Sequence, residues 1–245
     1  MAERTVDFGA TRVSPAEKDR RVRGVFDAVA DRYDLMNDLM SLSTHRLFKR
    51  MAVEMARLRA GHRVLDLAGG TGDVAALVAE RVGSTGAVFL ADVNAAMMAR
   101  GRDRVLDRGA ANVGFVQADA QSLPFPDAAF DATLIAFGLR NFTDKEAALG
   151  EVRRTLKQGA PLVVLEFAKV VNPVLGRAFA AFKSTWPVLG AAVTGSAAPY
   201  RYLVESIEQH PDQGALRLVM LDAGFRDVTY HNLAFGAAAI HRGFK

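Results

Sequence analysis

Residues 64–73 read V-L-D-L-A-G-G-T-G-D, and their reading decides the fold. Val64, Leu65 and Leu67 form a short apolar run with an acid, Asp66, inside it. The run breaks into Gly69, Gly70, Thr71 and Gly72, then resumes as a helix-like segment over 74–79. A buried parallel strand turning tightly into a helix has this pattern. Glycines at the turn let the backbone take positive φ and let a ligand approach it closely. Two nucleotide motifs compete here. A phosphate-binding P-loop needs a Lys after the glycines, and none follows. The dinucleotide fingerprint G-x-G-x-x-G begins at Gly70-Thr71-Gly72, but Ala75 stands where its third glycine belongs. The distinctive feature is Asp66, ahead of the glycines. A carboxylate there suits a ligand with a positive end. S-adenosylmethionine has such an end, with an ammonium, a sulfonium and no phosphate. The plain alternative is an ordinary glycine-rich turn with a solvated Asp.

Working outward, strands and helices alternate. Strands are expected at 63–67, 87–91 (ending at Asp92), 113–117 (ending near Asp119), 130–136 and 161–167. Helices are expected at 73–82, 95–107 and 144–156, the last with Thr143 as N-cap. This alternation predicts an α/β fold, a doubly wound, mostly parallel sheet with helices on both faces. Ligands of such sheets bind at the carboxyl ends of the strands, near the topological switch point. Asp66 with its glycines, Asp92, Asp119 and the loop 136–141 all fall at or just after strand ends. Asp92 lies 26 positions after Asp66; an acid about 20 residues past the Gly-rich turn either accepts both hydroxyls of a ribose or is a solvated loop Asp. Asp119-Ala120 offers a side-chain acceptor beside a backbone N–H, a pair able to read an adenine edge, or else a simple turn. Three acids converging on one edge would repel without a cation or hydroxyls between them. A cationic nucleoside satisfies both needs. The loop F-G-L-R-N-F over 137–142 carries Arg140, which either orients a phenolic oxygen and steadies its anion or makes a surface ion pair of little worth.

Ahead of the sheet, 1–13 is expected to be a mobile arm. Ser14, Pro15 and Glu17 mark a helix start, and Val22, Val25, Phe26 and Val29 give that helix one buried face to about residue 30. Residues 33–38 fit neither helical nor strand period. A further helix is expected over 45–57, so 14–60 forms an N-terminal helical cap contributing to the substrate site. His45 is either a base, since imidazole titrates near neutrality, or a capping or core histidine. The uncharged run 184–200 holds the only Trp, Trp186, and falls short of the ~20 apolar residues of a membrane span. It is read either as a buried helix plus loop or as part of an apolar flap over 172–203. Helices at 200–209 and 211–223 precede two antiparallel edge strands at 225–230 and 234–241, completing a domain over 61–245.

Composition narrows the classes. At 245 residues, half of them hydrophobic, the chain can bury a full core. It has no Cys, which excludes disulfides, thiolate metal sites and a Cys nucleophile. Its histidines lack paired spacing, so no metal site is expected. Net charge is +4 with a pI near 9.6, which serves solubility or attracts nucleic acid or anionic lipid.

The decapeptide 64–73, the segment 25–50 with Y-D-x-M-N and H-R, the loop F-G-L-R-N and the tail from Pro199-Tyr200-Arg201-Tyr202-Leu203 through Ser206-Ile207 resemble the ubiquinone/menaquinone biosynthesis C-methyltransferases. The resemblance begins near Lys18 and covers the rest of the chain. It implies a seven-stranded Rossmann-like class I methyltransferase that uses S-adenosylmethionine to methylate a ring carbon of a polyprenyl hydroquinone. The implied acceptors are 2-polyprenyl-6-methoxy-1,4-benzoquinol, demethylmenaquinol or both. It further implies a cytoplasmic enzyme able to lie peripherally on the inner face of the membrane, as a homodimer or in a quinone-biosynthesis complex, without nucleic acid. Thr71, Asp92, Asp119 and Ala120 would bind the cofactor, together with Asp66, Gly69, Gly70 and Gly72 of the glycine turn. Many relatives carry Ser before Phe137, and this chain has Ala136, so only a backbone contact carries over there. Arg140 would polarise the acceptor, with Asn141 and Tyr33 positioning it and a water or His45 taking the proton. Rival readings are an RNA or other small-molecule methyltransferase of the same fold, a non-catalytic accessory protein of a quinone complex, and a nicotinamide oxidoreductase.

Overall fold

The computed structural model describes residues 5–245. The chain opens on a hairpin of β1 (Val6–Phe8) and β2 (Thr11–Val13). The mobile arm expected over 1–13 is thus a structured hairpin from Val6 onward. Its first four residues lie outside the described residues. Phe8 stacks on Tyr202 at 4.4 Å, and the Ala10 N–H donates to Glu205 Oε2 at 3.0 Å. These side-chain anchors sit nearly two hundred residues away in sequence, and the arm's own composition does not reveal them.

Three helices follow: α1 (Pro15–Val29), α2 (Tyr33–Ser41) and α3 (Thr44–Met55). Ser14 caps α1 by accepting from the Glu17 N–H at 3.3 Å. The segment 33–38, whose period was obscure, lies in α2. The helix buries Met36 and Met40, while Tyr33 and Asn37 face a cavity. A helix whose inner face is part polar hides its own period. It ends at Leu42 and Ser43, both at positive φ.

The sheet is then laid down as expected. Its first half is β3 (Arg63–Leu67), α4 (Asp73–Val82), β4 (Ala87–Asp92), α5 (Ala95–Asp107) and β5 (Val113–Gln117). The second half is β6 (Ala132–Ala136), α6 (Lys145–Thr155) and β7 (Pro161–Phe167), then α7 (Pro173–Ser184), α8 (Trp186–Thr194), α9 (Ala198–Gln209) and α10 (Gln213–Asp222), and finally β8 (Arg226–Leu233) and β9 (Ala238–Phe244). The order is β5-β4-β3-β6-β7-β9-β8, parallel except at β9, which runs antiparallel between β7 and β8. The strand expected from residue 130 starts at Ala132, with Phe130 only bridging to Leu156. Helix α6 is capped by Asp144, which accepts from the Ala147 N–H at 3.0 Å, not by Thr143. Asp outranks Thr as a cap, and the Thr143 hydroxyl instead donates to Asp19 of α1.

Both sheet faces are covered. Val74, Val78 and Val82 of α4 and Val53 of α3 pack on one side; Leu149 and Val152 of α6 and Met220 of α10 pack on the other. Each fully buried Val, Leu or Met contributes about 1.5–3 kcal/mol. A third cluster joins Met36 and Met40 to Trp186, Tyr200 and Ile207. The stretch 172–203 is therefore helical, and the inner faces of its helices form a packed wall. Strand order reverses at the β3–β6 boundary, so the switch point lies at their carboxyl ends.

Candidate functional site

A cavity opens at those carboxyl ends. Of the residues singled out in the sequence, Gly70, Asp92, Asp119, Ala120, Ala136, Asn141 and Tyr33 line it. Asp92 ties its own strand to the glycine turn: Oδ2 accepts from the Gly70 N–H at 2.9 Å and Oδ1 from the Asn94 N–H at 2.8 Å. Burial pushes its carboxyl up, and these backbone donors oppose the push. Asp119 Oδ1 accepts from the Gln121 N–H at 2.9 Å, an Asx turn that presents Ala120 to the cavity. Val93, Met97 and Ala118 give an apolar lining between the two acids.

The rest of the turn lies behind the cavity. Asp66 is 1% exposed and does not line it. The expectation that its carboxylate meets a ligand's positive end is corrected here, because the turn folds over it. A Cβ on Gly69 would sit 2.8 Å from Asp66 Oδ2. Burial, opposed by Lys49 and the Ala75 N–H, pushes the Asp66 carboxyl up to about 7. Gly72 has φ +78°, and a Cβ there would meet Gly101 O of α5 at 3.0 Å. Gly69 and Gly72 thus serve close packing, and Gly70 alone of the three faces the cavity. The Thr71 hydroxyl is likewise engaged elsewhere. It donates to Asp34 Oδ1 at 3.2 Å and accepts from Arg104 at 3.2 Å, tying α2, the turn and α5 together.

A second cavity of about 450 Å³ adjoins the first. Tyr33, Ala136 and Phe137 line both. Its walls are mainly apolar: Met40 and Phe48 from the cap, Phe167 from β7, and Phe179 and Trp186 from α7 and α8. Ala136 carries no hydroxyl into this shared wall. Phe137 takes φ +58° and Ala68, at the end of β3, φ +57°. Two non-glycine residues held in the left-handed region at one site mark stored strain of about 1–3 kcal/mol each.

Arg140 and His45 supply polar groups to this apolar space. Arg140 is 8% exposed. Its Nη1 donates to Glu166 Oε1 at 3.0 Å and its backbone N–H to Oε2 at 3.1 Å. The guanidinium lies over the Phe167 ring, 5.3 Å from the centroid, and Nε has no partner among the described residues. This is a buried, oriented cation rather than a surface ion pair. Glu166 escaped the sequence reading, although an acid inside the apolar strand 161–167 repeats the Asp66 signal. Asn141 Oδ1 accepts from the Tyr202 hydroxyl at 3.0 Å. His45 Nε2 pairs with Asp38 Oδ1 at 2.9 Å, and Arg46 holds the same carboxylate through both its oxygens. Nδ1 of His45 is buried without a partner among the described residues. Also missed were Asp19, Arg23 and Phe26, which bring α1 over the first cavity. The apolar spacing of α1 revealed its buried face, but nothing local revealed which cavity its polar residues flank.

A methyltransferase structure from Aquifex aeolicus, described as S-adenosylmethionine-dependent, matches this fold with a TM-score of 0.62. The two chains are 20% identical, with 86% of this chain and 96% of the other covered. The likeness is one of fold. That fold, with acid-ended strands at the switch point, is the fold of class I S-adenosylmethionine-dependent methyltransferases. A profile described as the ubiE/COQ5 methyltransferase family matches residues 15–245, and the chain belongs to that family. Ubiquinone/menaquinone biosynthesis C-methyltransferase UbiE of Pseudomonas putida is 51% identical, spanning 100% of this chain and 96% of the relative. Its namesake from Pseudomonas syringae pv. tomato is 52% identical over the same shares. The nicotinamide reading, built on a partial glycine fingerprint, falls with that membership.

Proposed function

We propose that the enzyme methylates a ring carbon of a polyprenyl hydroquinone in ubiquinone/menaquinone biosynthesis, with 2-polyprenyl-6-methoxy-1,4-benzoquinol, demethylmenaquinol or both as acceptor. One observation carries the reading. An acid-ended cavity at the sheet's switch point and a roomy apolar cavity share Tyr33, Ala136 and Phe137 as a common wall. The residues of the first fit S-adenosylmethionine: Asp92 and Asp119 flank an apolar slot, and Gly70 and Ala120 offer backbone. When bound, it supplies an electrophilic methyl group.

The chain's own residues do the rest. Tyr33, Phe137 and Asn141 hold the acceptor ring in line, and alignment of this kind accounts for up to about 7–11 kcal/mol of a barrier. Arg140, aimed by Glu166, orients a ring oxygen and stabilises charge growing on it in a partly dry site. Arg is too basic to take the proton itself. With Nε2–H donating to Asp38, His45 Nδ1 keeps a lone pair and accepts the phenolic proton, directly or through a water; the ring carbon that gains the methyl then gives up its own proton, which restores the aromatic phenol. Asp66, Gly69, Thr71 and Gly72 act through the turn, fixing the Gly70 backbone. The apolar cavity takes the polyprenyl tail, and its exposed mouth rests on a membrane surface.

The test is methyl transfer from isotope-labelled cofactor to a short-tailed quinol, with the product identified by mass. Label on a ring carbon is expected. Label appearing only in RNA, with binding that weakens linearly in log salt, would favour the rival methyltransferase reading.

A further inference from the structure

We infer that a third cavity, beneath the N-terminal hairpin, is a binding site for a small oxyanion of the phosphate class. It shares only Arg140 with the acceptor cavity and only Thr143 with the first, so its contents lie outside the methyl-transfer path. Among the described residues four cations line it, Arg12, Lys18, Arg140 and Lys145, against the single carboxylate of Asp7. Glu166 already neutralises Arg140. Two positive charges remain in excess, the balance a dianion supplies.

The two lysines face each other across one acceptor. Lys18, 4% exposed, donates to Phe142 O at 3.1 Å, and Lys145 reaches the same oxygen at 3.5 Å. One carbonyl cannot satisfy two ammonium groups with three protons each. Among the described residues neither lysine has an ion pair. A second observation is independent of these charges. His210 is 4% exposed, lines the same cavity, and among the described residues neither ring nitrogen has a hydrogen-bond partner. Buried polar groups left unpaired call for an explanation such as a missing ligand. An oxyanion here would accept from the imidazole and both lysines together.

The titration pattern agrees. Burial, with Lys145 adding to it, pushes Lys18 down to about 8. Burial pushes His210 down to about 4, Lys145 and Arg140 adding and Glu166 opposing. An anion in the cavity reverses each of these shifts. Hairpin and α9 close over the site, since Gly9 O accepts from Gln209 and the Ala10 N–H donates to Glu205.

The experiment titrates the full chain with inorganic phosphate by calorimetry, chloride holding ionic strength constant, while the ring signals of His210 are followed by NMR. Saturable one-to-one binding is expected, with the His210 midpoint climbing from about 4 toward the ordinary histidine range. In the double variant Lys18→Gln, Lys145→Gln the affinity falls at least tenfold. A parallel titration with glycerol phosphate separates sources: binding of both ions means an esterified phosphate fits, and binding of inorganic phosphate alone means a free ion. No saturable heat at tens of millimolar phosphate overturns the inference. So do unmoved His210 signals in the wild-type protein, a readout that holds even if the double variant misfolds.

Discussion

Arg140 and Glu166 form one buried, hydrogen-bonded pair. Glu166 accepts two bonds from Arg140 and one from the Phe167 N–H at 2.9 Å. Glu166→Gln keeps the shape but turns one acceptor into a donor facing a donor. A displacement near 1 Å from such a change costs about 10²-fold in rate. Turnover should drop by roughly that factor while S-adenosylmethionine affinity by calorimetry stays near wild type; unchanged turnover would remove Arg140 from the mechanism. His45 makes a separate prediction. Burial first, then Lys49, pushes its imidazole below the ordinary value, and Asp38 pushes back. Activity should rise with pH through a midpoint below about 6.5 and then level. Asp38→Asn removes the opposing charge, so the rising limb should move to lower pH; a limb that stays put argues for a water as base. Asp66 has the opposite sign. Its folded value, about 7, lies above the unfolded 3.8. Its contribution is full below the unfolded value and lost as pH climbs through about 7, a swing of about 4 kcal/mol. Asp66→Asn should unfold at higher denaturant than wild type near pH ~8 and lose that pH slope. A steeper slope in the variant would contradict the assigned shift.

At the scale of elements, α5 sets the height of the glycine turn. A Cβ on Gly101 would meet Gly70 O at 2.6 Å, and backbone cannot give way as a flexible side chain does. Gly101→Ala should cost about 1–3 kcal/mol by overpacking. It should weaken cofactor binding by calorimetry and leave the quinol KM alone, because α5 touches only the first cavity. Equal losses for both ligands would mean general loosening. The same elements show what one sequence can disclose. β3 and β7 fall where expected because they are short apolar runs of strand length, and α4 and α5 because their apolar residues keep a helical spacing. α2 hides because it turns Tyr33 and Asn37 toward a cavity, and the hairpin hides because Tyr202 and Glu205 hold it from the far end of the chain. Asp92, Asp119 and the loop at Arg140 were legible as strand-end chemistry. Glu166 as the partner of Arg140, Asp38 as the partner of His45, and the burial of Asp66 depend on how elements cross, which spacing does not encode.

For the whole molecule, the question is how a long apolar tail reaches a cavity inside a folded protein. Among the described residues no helix is long and apolar enough to cross a membrane. The mouth of the acceptor cavity is nonetheless apolar: Leu42 and Phe235 line it and are 77% and 76% exposed. Val174 on α7 and Val188 on α8, helices that line the same cavity with Leu175, Phe179 and Trp186, are 71% and 73% exposed. Exposed apolar patches of this kind mark interaction surfaces. Each such side chain buried in the lipid interface contributes about 1.5–3 kcal/mol, and lysines or arginines near anionic headgroups add about 1 kcal/mol each. Together these permit reversible binding without an anchor. Val174→Glu with Val188→Glu places two carboxylates on the patch and leaves both cavities intact. The wild-type protein should float with anionic vesicles and the variant should stay behind. Turnover of a long-tailed quinol in vesicles should fall with it, while turnover of a short, water-soluble quinol stays the same. That split separates membrane delivery from chemistry: equal loss on both acceptors would mean damage to the site, and a wild-type protein that never floats would mean the tail arrives by another route.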